Sequence, residues 1–151
     1  MELLTKKNYL NTIKKSVGVQ IFHNIFAEID GAEKDITQNG KLSCAFFVSS
    51  ILMMFHLIDS DKAPHSTIAG TIKNMETNGW VEMNEDKLED GDIIVWETIT
   101  DVDGRKHEHI GFYIGNSLAI SNSSQKGTPE EHHYTYNGKR AIKSYWHNPS
   151  L

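Results

Sequence analysis

The apolar residues in the first half of the chain recur at helical intervals. Between residues 5 and 17, Leu10, Ile13 and Val17 fall three and four apart among lysines, which predicts an amphipathic opening helix. From Cys44 onward Phe47, Ile51, Met54 and Ile58 step by four, three and four, with more apolar residues on the other faces. A helix apolar nearly all round belongs in the core, and Ser43 stands where it can cap it. Residues 59 to 64 break that pattern. A further helix is expected from about Ser66 to Asn78, with Ile68, Ile72 and Met75 turned inward and Gly79 as its stop. Between the opening and core helices, residues 21 to 41 keep no steady period. The turn signals Asp30-Gly31 and Asn39-Gly40 predict irregular chain around a short helical piece there.

After Trp80 the pattern becomes strand-like. Residues 92 to 97, 108 to 114 and 118 to 123 are rich in β-formers, the last two flanking a Gly115-Asn116-Ser117 turn, and residues 141 to 146 close the set. Helices first and antiparallel strands afterwards imply an α+β fold, with the helices packed on one side of the sheet. Trp80, Trp96 and Trp146 each adjoin an apolar strand pattern and are read as packing residues. The polar and aromatic stretch from Gly127 to Tyr136 suits a loop beside a cleft or a solvated hairpin.

Composition adds bounds. A chain of 151 residues suits one domain, residues 1–151, large enough to bury a core without a metal or disulfide staple. At 38% hydrophobic and 23% charged residues it has the makeup of a soluble globular protein. The net charge of −5, with the basic pairs Lys6-Lys7, Lys14-Lys15 and Lys139-Arg140 scattered among acids, argues against a nucleic-acid partner. The longest apolar run is shorter than the ~20 residues that a membrane-spanning helix needs. No apolar stretch follows Lys6-Lys7, so no secretory signal is expected and synthesis in the cytoplasm is the expected location.

The single cysteine cannot form an intramolecular disulfide. Cys44 is therefore a free thiol, a buried hydrophobe or a reactive group. At the first turn of the core helix, unpaired N–H groups and the positive end of the helix dipole would stabilise a thiolate. His109 opens a strand, Glu108-His109-Ile110-Gly111-Phe112-Tyr113-Ile114-Gly115, in which its neighbours are mostly apolar or small. An imidazole held there could serve a thiol as general base. The other histidines raise the question of a metal. His107 and His109 would share one strand face, but His132 and His133 point to opposite faces of any strand and no H-E-x-x-H helix is present. Neither a metal nor a cofactor is expected.

The blocks Leu42-Ser43-Cys44-Ala45-Phe46-Phe47-Val48, Leu88-Glu89-Asp90-Gly91-Asp92-Ile93-Ile94-Val95-Trp96 and His109-Ile110-Gly111-Phe112-Tyr113-Ile114-Gly115, in that order, resemble the NlpC/P60 family of papain-like cysteine peptidases, with the CHAP amidases as near relatives. The resemblance covers roughly residues 40 to 125. It departs in having Ser43 before the cysteine and Ala45-Phe46 after it, and in lacking the aromatic and paired glycines usual upstream. The resemblance implies a papain-like α+β fold, with Cys44 as nucleophile, His109 as base and a third polar residue on the following strand to orient the histidine. The usual gap from His109 falls on Ser121. Asn122, one place further, offers the amide oxygen that papain-like enzymes use, and its choice requires a one-residue bulge or a longer turn near Asn116-Ser117.

Under that resemblance the expected activity is amide hydrolysis through a thioester by Cys44, His109 and Asn122, and the partner is a peptide or a fragment of bacterial peptidoglycan. Two other readings stay open. A papain-like domain can also cut an intracellular protein or isopeptide bond, or serve as an inactive binding module on the same fold.

Overall fold

The computed structural model describes residues 1–100 and 104–151. Helix α1 (Thr5–Lys15) is followed by a small antiparallel hairpin, β1 (Phe26–Ile29) and β2 (Ala32–Asp35), and then by α2 (Cys44–Met54) and α3 (Ile68–Thr77). Strands β3 (Val81–Met83), β4 (Ile93–Thr100), β5 (Lys106–Gly115), β6 (Leu118–Asn122), β7 (Pro129–His133) and β8 (Ile142–His147) make one sheet in the order β3-β8-β4-β5-β6-β7. Every neighbouring pair in it is antiparallel. This is the expected α+β arrangement. Among the described residues no helix is long and apolar enough to cross a membrane.

The two faces of the sheet differ because side chains alternate along each strand. Ile93, Val95, Ile110, Phe112 and Ile120 pack with the helices in the main core, where Phe47, Ile51 and Leu52 of α2 are fully buried. Ile94, Trp96 and Ala119 face the other way, into a smaller cluster with Tyr113, Tyr134, Tyr136 and Tyr145. The cross-strand pairs Trp96↔His109 and Gly111↔Ser121 put His109 and Ser121 on this second face. The pair Asn122↔Pro129, one residue out of phase, belongs to the face turned toward the helices.

The structure corrects the sequence reading in four places. Residues 26 to 35 form a hairpin rather than irregular chain around a helical piece. Asp30 and Gly31 both take positive φ, as a tight hairpin turn requires; its strands are almost wholly exposed, so no apolar alternation announced them. The stretch from Pro129 to His133 is the edge strand β7, with its proline at the first position, where no ladder N–H is needed. Helix α2 ends at Met54, which is exposed, and Ile58 reaches the core from the turn beyond. Val17 lies past the end of α1 and is also exposed.

The segment leading into α2 is fixed by one carboxylate. Asp35 accepts from the backbone N–H of Thr37 at 3.0 Å and of Asn39 at 2.7 Å, from the Thr37 hydroxyl at 2.6 Å and from the Asn24 amide at 2.7 Å. These donors, the Thr37 hydroxyl foremost, hold its carboxyl well below the usual carboxylate range. A depressed folded-state pKa contributes stability that is complete above the unfolded value, about 3.9, and is lost as the pH falls through the folded value. Asp35→Asn is therefore expected to lower stability at neutral pH and to speed amide exchange over residues 36 to 43. The stability gap to the native chain should close on acidification, which urea unfolding across pH measures; a gap that ignores pH removes the carboxylate from this role.

Candidate functional site

The segment before α2, the start of β5 and the chain after β6 enclose a cavity of about 490 Å³, whose lining includes Gln38, Cys44, His109, Tyr136 and Arg140. A larger and more open hollow of about 710 Å³ lies at the β3–β8 edge, around Val81, Lys87 and His147. Its lining holds no cysteine or serine nucleophile, so chemistry points to the smaller cavity.

Cys44 is the first residue of α2 and is half-buried. Ser43 precedes it with a fully buried hydroxyl, but that hydroxyl does not cap the helix and has no hydrogen-bond partner among the described residues, contrary to the sequence expectation. The consequence is useful chemically, since the first N–H groups of the helix are not taken up by a serine oxygen. Desolvation pushes the Cys44 thiol up, while the N–H groups of Ile110 and Ala45, and more weakly the Arg140 guanidinium, pull it back toward the thiolate. Contact with the Ile110 N–H sets the sulfur level with the backbone of β5. A histidine on the outer face of that strand can then share its cavity.

His109 is that histidine. Its surroundings push its pKa down to about 3, chiefly through burial and further through the charges of Arg140 and His132. Both shifts favour the uncharged forms, a thiol and a neutral imidazole lining one cavity. Trp96, fully buried on β4, packs on His109 with ring centroids 5.3 Å apart.

The third residue beside His109 is Ser121, not Asn122. Ser121 Oγ lies 2.8 Å from His109 Nε2. Asn122 lines the cavity but points away from His109, because adjacent residues of a strand face opposite sides. Its amide donates to the Gly40 carbonyl at 2.6 Å and so ties β6 to the segment before Cys44. The register shift between β5 and β6 falls at Tyr113/Gly115, and it leaves Gly111 opposite Ser121. The bulge that Asn122 would have needed does not bring it round.

Three further residues were not found from sequence. His132 of β7 and Tyr136 both reach the Ser121 hydroxyl. Arg140 lines the cavity and donates to the carbonyl oxygens of Glu97 and His107. The signal available for His132 was its pairing with Ala119 in β7, which depended on recognising a strand in a polar stretch. Tyr136 closes the stretch that the sequence placed beside a cleft, but no motif singled it out, and nothing marked Arg140.

No protein-family model matches the sequence, and no curated protein matches it. Among solved structures the chain is similar to NlpC2 from Trichomonas vaginalis, with a TM-score of 0.53 and 16% sequence identity, over 97% of this chain and 50% of that one. The chain thus spans about half the length of that solved structure. At such identity the likeness speaks to the fold alone, and it agrees with helices packed on an antiparallel sheet: this is an α+β chain with an NlpC/P60-like, papain-like fold.

Proposed function

We propose that the cavity is the active site of a cysteine hydrolase acting on amide bonds. The observation that carries this reading is the convergence of the chain's one cysteine, at the start of α2, and His109, on β5, on a single cavity. Neither residue needs to be charged at rest. As Cys44 Sγ bonds to the carbonyl carbon, His109 takes the thiol proton, and the imidazolium then returns that proton to the nitrogen as the C–N bond breaks. Water hydrolyses the thioester by the same base, releasing a carboxylic acid and the free thiol. The N–H groups of Ala45 and Cys44 at the first turn of α2, together with that of Ile110 on β5, act on the sulfur and suit the developing oxyanion.

Ser121 holds His109 in place of the asparagine expected from sequence. By the resemblance of its sequence blocks to the NlpC/P60 family, the substrates we propose are short peptides, those of bacterial peptidoglycan first and intracellular peptide or isopeptide bonds second. The test is hydrolysis of a panel of peptidoglycan peptides and isopeptides, followed by mass spectrometry. Cys44→Ala should abolish product formation, and a slowly deacylating ester should leave an acyl group on Cys44 of the native chain. Product formation that survives Cys44→Ala, or a native chain whose thiol is never acylated, would sink the proposal.

A further inference from the structure

The Ser121 hydroxyl lies among three partners: His109 Nε2 at 2.8 Å, His132 Nε2 at 2.7 Å and the Tyr136 hydroxyl at 3.1 Å. A hydroxyl has one proton to donate and two lone pairs to accept with. All three contacts are hydrogen bonds only if Ser121 donates to one partner and accepts from the other two.

The direction is set from outside the group. His132 Nδ1 lies 2.8 Å from the His133 carbonyl oxygen, and a carbonyl can only accept, so His132 carries a proton on Nδ1. Burial disfavours the charged form of His132, which leaves its Nε2 bare. A bare Nε2 must accept, so Ser121 gives its proton to His132. Its lone pairs then receive the Tyr136 hydroxyl proton and an Nε2–H from His109. A neutral His109 protonated on Nε2 has a bare Nδ1, which is the form able to take a proton from a thiol.

Resting on the reading of Cys44 and His109 as the reacting pair, we propose that His132 is a positioning residue that acts through Ser121 to fix His109 in the tautomer with Nδ1 as its base. This resolves why a serine suffices at the third position. Alone, its hydroxyl could turn and offer its proton to His109 Nε2, selecting the wrong tautomer. With His132 holding that proton, Ser121 presents only a lone pair to His109, and it keeps doing so when His109 becomes an imidazolium.

The packing supports a fixed arrangement. The His132 and Tyr136 rings stack at 4.0 Å and 14°. Trp96 packs against His109, His132 and Tyr136, and its own N–H is anchored on the Tyr134 carbonyl at 2.7 Å. Gly111, opposite Ser121, leaves the space: a Cβ there would lie 2.6 Å from the Ser121 Cβ.

The experiment is nitrogen NMR of the histidine rings in the native chain at neutral pH, with His109→Gln and His132→Gln assigning the signals. Protonation of His132 on Nδ1 and of His109 on Nε2 is expected; His109 protonated on Nδ1, or His132 protonated on both nitrogens, overturns the proposal. In a second arm, His132→Gln supplies an amide oxygen that can accept from Ser121, and His132→Leu does not. The glutamine variant should keep the His109 tautomer and most of the rate of Cys44 alkylation by iodoacetamide. The leucine variant, with native circular dichroism, should mix the tautomers and slow alkylation roughly tenfold, a part of what a positioned base contributes. An unchanged tautomer in that folded variant also overturns the proposal. Because the NMR needs no substrate, correct tautomers alongside slow native alkylation would indict the hydrolase reading and not the relay.

Discussion

Replacing His109 with alanine should slow alkylation of Cys44 by iodoacetamide near neutral pH by roughly 10²- to 10⁴-fold, the range in which a positioned general base acts. The reasoning starts from the opposed shifts of the pair. Burial pushes the Cys44 thiol up and brings His109 down to about 3. Little thiolate exists at rest, so fast reaction at neutral pH requires removal of the proton as the sulfur attacks. A neutral His109 can do this at any pH well above its own pKa. The native rate should accordingly persist into mild acid, while the variant follows its thiolate fraction and recovers only toward and above the ordinary thiol range near about 8.5. The ratio of the two rates should be widest between mild acid and neutrality and shrink in alkali. Equal rates across the range would make Cys44 a packing residue beside an idle histidine. Stability carries the same signature: a histidine kept neutral in the fold binds fewer protons than its unfolded form. Folding stability from this group is therefore complete above about pH 6.5 and is lost as the pH falls toward the folded value.

The parts of this architecture that could be read from sequence are those whose side chains repeat with the backbone period. Helix α2 and strands β4 to β6 bury one or both faces, so Phe47, Ile51, Ile93, Val95, Ile110 and Phe112 wrote their burial into the order of residues. The β1–β2 hairpin and β7 bury little on either face, and nothing periodic marked them. The site divides in the same way. Cys44 begins α2 and His109 is the fourth residue of β5, elements whose own patterns are strong, and both line the cavity. The choice between Ser121 and Asn122 turned on strand parity, which a shift of one residue inverts, and the irregular register between Tyr113 and Gly115 is not encoded by any single residue type. His132, Tyr136 and Arg140 come from the last fifth of the chain and meet the site only through tertiary pairing. A serine at the third position looked chemically weak because its worth depends on a histidine eleven residues on, in a strand that could not be foreseen.

Gly40→Ala should be among the most destabilising single-methyl additions in the chain, costing about 3 kcal/mol, the sum of a left-handed backbone strain and overpacking against main chain. Gly40 has φ +79°, and a Cβ there would sit 2.2 Å from the Gly127 carbonyl oxygen and 2.7 Å from the Gly127 Cα. Those are backbone atoms, so no rotamer change can relieve the clash. Gly127 is as constrained in return, with φ +72° and a would-be Cβ 2.6 Å from the Asn39 carbonyl oxygen. The Asn122 amide closes the same junction by donating to the Gly40 carbonyl, which gives that asparagine a structural task. Two glycines and one amide thus press the segment before Cys44 against the turn after β6, and Gln38, Leu42, Ser123 and Gln125 line the cavity from the two sides of that junction. Gly138 provides the control, because it has a similar φ of +78° but open space where its Cβ would stand. Gly138→Ala should cost only about 1–2 kcal/mol, the price of the backbone conformation alone. Urea unfolding of the two variants separates the contributions, and Cys44 alkylation in the folded fraction reads the cavity. Equal losses of stability would mean that the Gly40–Gly127 contact relaxes freely, whereas a Gly40→Ala chain that is both weaker and slower to alkylate would establish that this close approach of two backbones sets the position of Cys44.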